Sequence, residues 1–417
     1  MKVLLLATLL PAAPMLAAEP TSTAASAINA LGIDLLRKSG EPNANALLSP
    51  YSVQSALAMA YAGADGATRE EMRKVLHFPK DDAEVHRSFA ALRKALEDVV
   101  QDSATNAARM KQGGATNDPI TLTVANRLFG QAGYDFRAPF LALVKESYAA
   151  PFEPLDFVTD PAGAAKHING WVEEQTRQRI RDLIPAGALD KLTRLVLVNA
   201  IYLKAPWAEP FQTSATRPGP FRVNGGKSVD VSMMTQRHEL SYAKGDGFSV
   251  LQLPYDGHQL SLLVLLPDKA DGLAALEAKL TPGVLAGHAV KWETRDVTLY
   301  LPRFKLEPPM LPLGNELRAL GMKSAFDQPR RSANFDRIAP RREDDYLYIS
   351  EVFHKTFLEL DEKGTEAAAA TAVHLMTASI HEPAKPIEVR VDHPFLFAVQ
   401  HRPSGACLFL GRVTDPR

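Results

Sequence analysis

Residues 362–376 read Glu362-Lys-Gly-Thr-Glu-Ala-Ala-Ala-Ala-Thr-Ala-Val-His-Leu-Met376. Local propensity alone favours helix over much of this stretch, because alanine is the best helix former. A period of two sorts it differently. Thr365, Ala367, Ala369, Thr371, Val373 and Leu375 face one way. Glu366, Ala368, Ala370, Ala372, His374 and Met376 face the other. Every charged or titrating group falls in the second set, which is the pattern of a strand with one buried face. Its small residues are poor strand formers. They suit a strand that must slip between two others already in place.

The flanks are strand-like too. Phe353 to Asp361 alternates on one side, overlapping a long strand expected from Tyr346 to Leu360, and strand pattern resumes at Ile387. Further back, Leu195 to Leu203 is an almost unbroken apolar run, suited to a central strand buried on both faces. Ile120–Phe129, Phe248–Pro254, Gln259–Leu266, Asp296–Phe304, Phe395–Gln400 and Ala406–Val413 add strands. Phe221 to Met234 forms a hairpin around Asn224-Gly225-Gly226. Helical periodicity marks Ala24–Arg37, Asn45–Ala62 with a restart at Ser49-Pro50, Ala67–Leu76, Val85–Val100, Pro161–Arg181, Gly272–Leu280 and Gly314–Gly321. Gln101 to Asp118, rich in Ala, Asn, Gln and Gly, reads as an exposed loop insertion. The fold class is mixed α/β. No internal repeat or linker divides the chain, so residues 19–417 form one domain.

Residues 1–18 read as a secretory signal peptide. Lys2 precedes the apolar run Val3–Leu10, and the small residues Ala12, Ala13, Ala17 and Ala18 lead to a cleavage site near Ala18. The expected location is therefore extracellular or periplasmic. The absence of any Asn-x-Ser/Thr sequon favours a bacterial setting.

Composition excludes several function classes. In 417 residues, 47 Lys and Arg balance 48 Asp and Glu, so no global field attracts nucleic acid or an acidic membrane. The lone cysteine, Cys407, rules out a disulfide framework and any multi-cysteine metal site; it reads as a buried, inert thiol. Gly225-Gly226-Lys227-Ser228 fails as a phosphate loop, because Phe221 stands where the first glycine belongs. There is no G-x-S-x-G elbow and no H-E-x-x-H helix. Arg330, Arg331, Arg341 and Arg342 are interleaved with Asp336, Glu343, Asp344 and Asp345, a solvated loop rather than a polyanion site. No enzyme constellation, metal site or cofactor site emerges.

The chain resembles the serpins, serine protease inhibitors that trap their targets by a conformational change. Six motifs in order carry the resemblance. They are Asn45-Ala-Leu-Leu-Ser-Pro-Tyr-Ser52; Leu197-Val-Asn-Ala-Ile-Tyr-Leu-Lys-Ala-Pro-Trp207 with Pro210-Phe211; Leu301-Pro-Arg-Phe304; Phe353-His-Lys355; Glu362–Ala370; and His393-Pro-Phe-Leu-Phe397. The insertion at 101–118 and a long tract after the bait bond depart from the family pattern.

The resemblance implies a fold of three β-sheets and eight or nine helices with an exposed reactive loop, here residues 362–386. It implies a hinge at Glu362, Gly364, Thr365, Glu366, Ala367, Ala368, Ala369 and Ala370. Counting seventeen residues from Glu362 puts the bait bond at Ala378–Ser379. Ser49, Ser52, Asn199 and His354 match the polar cluster that controls sheet opening. Trp207 and Arg303 match the region where insertion begins, with Arg303–Glu362 an expected ion pair. Ala378 before the bond suits an elastase-like or subtilisin-like serine protease; a cysteine protease is a further target class. A monomer is expected. The rival reading is a non-inhibitory carrier or chaperone, whose hinge would carry bulky, charged or proline residues facing inward. Thr365, Ala367 and Ala369 are none of these.

Overall fold

The computed structural model describes residues 21–38, 41, 43–113, 118–223, 226–366 and 386–417. The expected signal peptide lies outside them, as do Ala367–Ala370, Ala378 and Ser379. The described residues form nine α-helices: α1 (Ser22–Lys38), α2 (Pro50–Gly63), α3 (Gly66–Val75), α4 (Asp82–Gln112), α5 (Ala138–Tyr148), α6 (Pro161–Gln175), α7 (Leu273–Lys279), α8 (Pro282–Leu285) and α9 (Gly314–Leu320). The strands are β1 (Ala46–Leu48), β2 (Thr121–Gln131), β3 (Phe152–Leu155), β4 (Leu195–Pro206), β5 (Arg217–Arg222), β6 (Ser228–Lys244), β7 (Phe248–Pro254), β8 (Leu260–Pro267) and β9 (Glu293–Pro302). They continue with β10 (Phe304–Leu306), β11 (Leu311–Pro312), β12 (Phe353–His354), β13 (Leu358–Asp361), β14 (Gly364–Thr365), β15 (Ile387–Arg390), β16 (Phe395–His401) and β17 (Ala406–Val413).

These strands make three sheets. Nine strands run β1-β17-β16-β8-β7-β6-β9-β15, with β5 folded back on β6 as the expected hairpin. Six run β10-β13-β14-β4-β2-β3, and β11-β12 form a small pair. The apolar run of β4 sits centrally, and its alternate residues serve two cores. Ile201, Leu203 and Ala205 join the main core, while Val198 and Ala200 pack with Ile168 and Val172 of α6 on the other face. That is the two-faced burial a continuous apolar run requires. Helix α2 lies beneath the sheet. Pro50 opens it, and the Ser49 hydroxyl caps it by accepting from the Ser52 N–H at 3.2 Å.

Four local expectations fail. Asn45–Leu48 does not open a helix, because Ala46–Leu48 pairs with β17 as β1 and the helix begins only at Pro50. Gln101 does not begin a loop, because α4 runs on to Gln112. The alanines that looked like loop filler favour helix, and the extension is tied down. The Ser103 hydroxyl accepts from the Ile120 N–H at 2.8 Å, and Gln259 donates to Asp102 at 3.1 Å. Tyr346–Leu360 is not one long strand either. Only Phe353–His354 and Leu358–Asp361 pair. Tyr346, Leu347, Ile349 and Val352 pack against the main core, but their backbone is tied irregularly, with Ile349 N–H donating to Ala325 and Val352 accepting from Leu313. Finally, α6 stops at Gln175 rather than Arg181. The Thr176 hydroxyl donates to Val172 and also accepts from the Ile180 N–H, which closes the helix. Arg177 and Gln178 then take φ of 50° and 64°.

Candidate functional site: the opening in the six-stranded sheet

The quoted stretch enters the sheet at its first residues. β14 lies between β13 and β4, with Thr365 opposite both Leu360 and Ala205. A tight reversal precedes it, in which the Asp361 carboxylate accepts from the Lys363 and Gly364 N–H groups at 2.8 and 3.2 Å. Gly364 has φ 151°, and a Cβ there would sit 2.1 Å from the Ala205 carbonyl oxygen. Only glycine lets the two backbones approach this closely.

Trp207 organises this upper end. Its indole N–H donates to the Asp361 carbonyl at 2.9 Å, its backbone N–H donates to Lys363, and its ring stacks on Tyr255 at 4.6 Å. The Tyr255 and Thr365 hydroxyls are 2.6 Å apart. Glu362 is buried. Its carboxylate accepts from the Thr216 hydroxyl at 2.7 Å and meets Arg303 at 3.4 Å. Burial pushes its carboxyl up, yet the Thr216 bond, its own backbone N–H and Arg303 outweigh that and hold it below the usual range. Glu366 differs: burial raises its carboxyl above the usual range against the pull of Arg179.

Below Thr365, among the described residues, one edge of β4 is left without a strand partner. β4 pairs with β2 from Leu195 to Lys204, but on its other edge only Ala205 and Pro206 meet a strand among the described residues. A cavity of about 220 Å³ lies along that edge. Leu195 and Leu197 of β4, Val53 and Leu57 of α2, and Leu347 and Ile349 line it, with Asn199 and His354 at its polar end.

That polar end gathers the four residues singled out beneath the sheet. The Ser49 N–H donates to His354 Nε2 at 3.0 Å, and the Ser49 hydroxyl donates to Leu408 at 2.7 Å. The Ser52 hydroxyl reaches the Asn199 carbonyl at 3.4 Å. Asn199 donates to the Asn126 side chain, which donates on to Tyr148. The Asn199 side-chain oxygen is buried and has no hydrogen-bond partner among the described residues. Burial holds His354 down at about 4, so it is neutral and free to accept.

The site residues thus fall into two groups: Glu362, Gly364, Thr365, Trp207 and Arg303 above, and Ser49, Ser52, Asn199 and His354 below. Sequence reasoning missed Tyr255, Thr216, Asn126 and Arg179. Tyr255 follows β7, Thr216 precedes β5 and Arg179 follows α6, and nothing local in the sequence ties them to the hinge. Cys407 is buried, and burial pushes its thiol up. No helix among the described residues is long and apolar enough to cross a membrane.

Residues 26–416 match the serpin (serine protease inhibitor) family model, and the chain belongs to that family. A leukocyte elastase inhibitor of Bos taurus is 39% identical over 90% of this chain and 94% of its own. A serpin-like protein of Thermococcus kodakarensis is 38% identical over 94% of this chain and 85% of its own. Among solved structures, the cleaved Serpin 42Da matches with a TM-score of 0.80 at 33% identity, covering 96% of this chain and all of that one. Uncleaved ovalbumin matches at 0.77 and 32%, covering 94% and 99%.

Proposed function

We propose that this serpin is a suicide-substrate inhibitor of serine proteases. The observation that carries the reading is Thr365 seated between β13 and β4, above a stretch of β4 that has no strand partner on that edge among the described residues and a cavity alongside. The register supports it. Extending Thr365↔Ala205 downward sets Thr371 opposite Asn199, Val373 opposite Leu197 and Leu375 opposite Leu195. In an inserted strand these residues share Thr365's inward face. Thr371 then supplies the donor that the Asn199 side-chain oxygen lacks, and Val373 and Leu375 fill the apolar cavity.

The chemistry is that of the protease. Its serine oxygen attacks the Ala378 carbonyl carbon, the Ala378–Ser379 peptide bond breaks, and Ser379 leaves as an amine carrying the proton. The chain up to Ala378 remains as an ester on the enzyme. A strand of about fourteen residues at ~3.3 Å each then carries that ester roughly 45 Å down the sheet, so the protease is displaced before water can free it. The intact form is held by a kinetic barrier. Ala378 fits a shallow apolar specificity pocket, so elastase-like or subtilisin-like enzymes are the targets proposed, with cysteine proteases as a further class. The protein acts as a secreted monomer.

Fold alone does not decide inhibition. The chain also matches a thyroxine-binding globulin solved with its ligand, with a TM-score of 0.76 at 27% identity. The small inward set Thr365, Ala367 and Ala369 favours the inhibitor over the carrier. The test is incubation with elastase and subtilisin. An adduct stable in SDS, with release of a peptide beginning at Ser379, supports the reading. Turnover as a plain substrate by every protease tried contradicts it.

A further inference from the structure

The two-residue strand β14 ends at Thr365, and the geometry at Glu366, just past it, is specific. Glu366 still donates its N–H to the Glu359 carbonyl at 3.0 Å, one bond beyond the β13 pairing. It then takes φ 51°, an unusual backbone for glutamate that turns it out of strand conformation. Its carboxylate is ion-paired with Arg179, and its side chain is only 12% exposed. Arg179 is itself fixed, with its guanidinium over the Phe357 ring at 4.9 Å. It lies in the segment that follows α6.

Glu366 has a second basic partner within reach of a small change. One more residue of the β14–β4 register sets Glu366 opposite Lys204. Lys204 lines the same open depression as Arg177, Arg179 and Glu366, and is now paired with Asp118 at 2.9 Å. Moving there requires Glu366 to leave its positive φ and Arg179 to release it. An opposite-charge cross-strand pair then takes over.

We propose that Arg179 is a positioning residue that latches the hinge at Glu366 and slows insertion of the loop until cleavage. The latch rests on the inhibitor reading above, because it regulates the same loop. It makes the segment after α6 a timer for the intact inhibitor rather than part of the bait.

The test compares the full chain with Arg179→Gln, Glu366→Gln and the double variant, incubated intact below their unfolding temperature. Two quantities are followed: the fraction still able to form an SDS-stable adduct with elastase, and the fraction converted to a more heat-resistant form. Loss of the pair is expected to speed conversion roughly two- to fivefold, the range for a partly exposed ion pair. The double variant should convert no faster than either single one. Arg179→Lys should stay near wild type. Variants that convert at the wild-type rate, or a double variant whose effects add, overturn the latch while a trapping wild type leaves the inhibitor reading intact. A wild-type chain that neither traps protease nor converts overturns the inhibitor reading and the latch with it.

Discussion

The hydroxyls of Tyr255 and Thr365 meet at 2.6 Å in a buried pair, under the stacked ring of Trp207. This contact joins the loop after β7 to the first inserted residue of the reactive segment. It makes the side chain at 365 part of the protein interior before any protease arrives.

Thr365→Arg should therefore be severe. An unpaired charge at this buried position is costly. The variant is expected to be cut at the bait bond without forming an SDS-stable adduct. Gel analysis with elastase checks this, and wild-type adduct yield would show that Thr365 does not enter the sheet during inhibition.

Gly364→Ala tests the backbone at the same place. The added Cβ would meet the Ala205 carbonyl, and the φ of 151° disfavours any side chain. β14 should lose its seat, with a loss of about 1–3 kcal/mol in denaturant unfolding. Stability within a few tenths of a kcal/mol of wild type would mean that the close approach is not maintained.

Much of this was legible in the sequence, and the limits have physical causes. The period-two pattern put Thr365 on the buried face, and Thr365 is buried between β13 and β4, because burial of one strand face leaves a signal in side-chain chemistry; the rest of that pattern lies outside the described residues. The apolar run of β4 signalled burial on both sides. The extended segment before Phe353 misled, because apolar alternation reports burial but not the presence of a ladder partner. The α4 extension misled because small and polar residues fit both loop and exposed helix. Tyr255, Thr216 and Arg179 left no trace, since their partners lie more than a hundred residues away and depend on the assembled sheet.

Stability should fall on mild acidification. Burial holds His354 and His401 at about 4, and burial followed by Arg69 does the same for His86, against an ordinary 6.5. All three are neutral in the fold and take protons when unfolded. Their contribution is complete above pH 6.5 and is lost as pH falls toward 4. Between pH 7 and pH 5 each should remove about 2 kcal/mol. His354→Gln should flatten that slope by roughly a third, and urea unfolding at the two pH values measures it. An unchanged slope would mean that His354 is accessible to protons in the fold.

Cys407 should be silent toward thiol reagents in the native state. It is fully buried in β17, its backbone N–H donates to the Asn29 side-chain oxygen at 2.9 Å, and burial keeps its thiol protonated. Labelling should appear only on unfolding; rapid labelling of the native protein would contradict this packing.

The central claim is that cutting the loop lets it become a strand. Burial of Val373 and Leu375 alone should then contribute about 3–6 kcal/mol, with ladder hydrogen bonds added along β4. The most direct measurement is thermal unfolding of intact protein beside protein nicked at Ala378–Ser379. The account predicts a strong rise in melting temperature on nicking. A nicked form that melts at or below the intact one would contradict it, because an ordinary exposed loop gains nothing when cut.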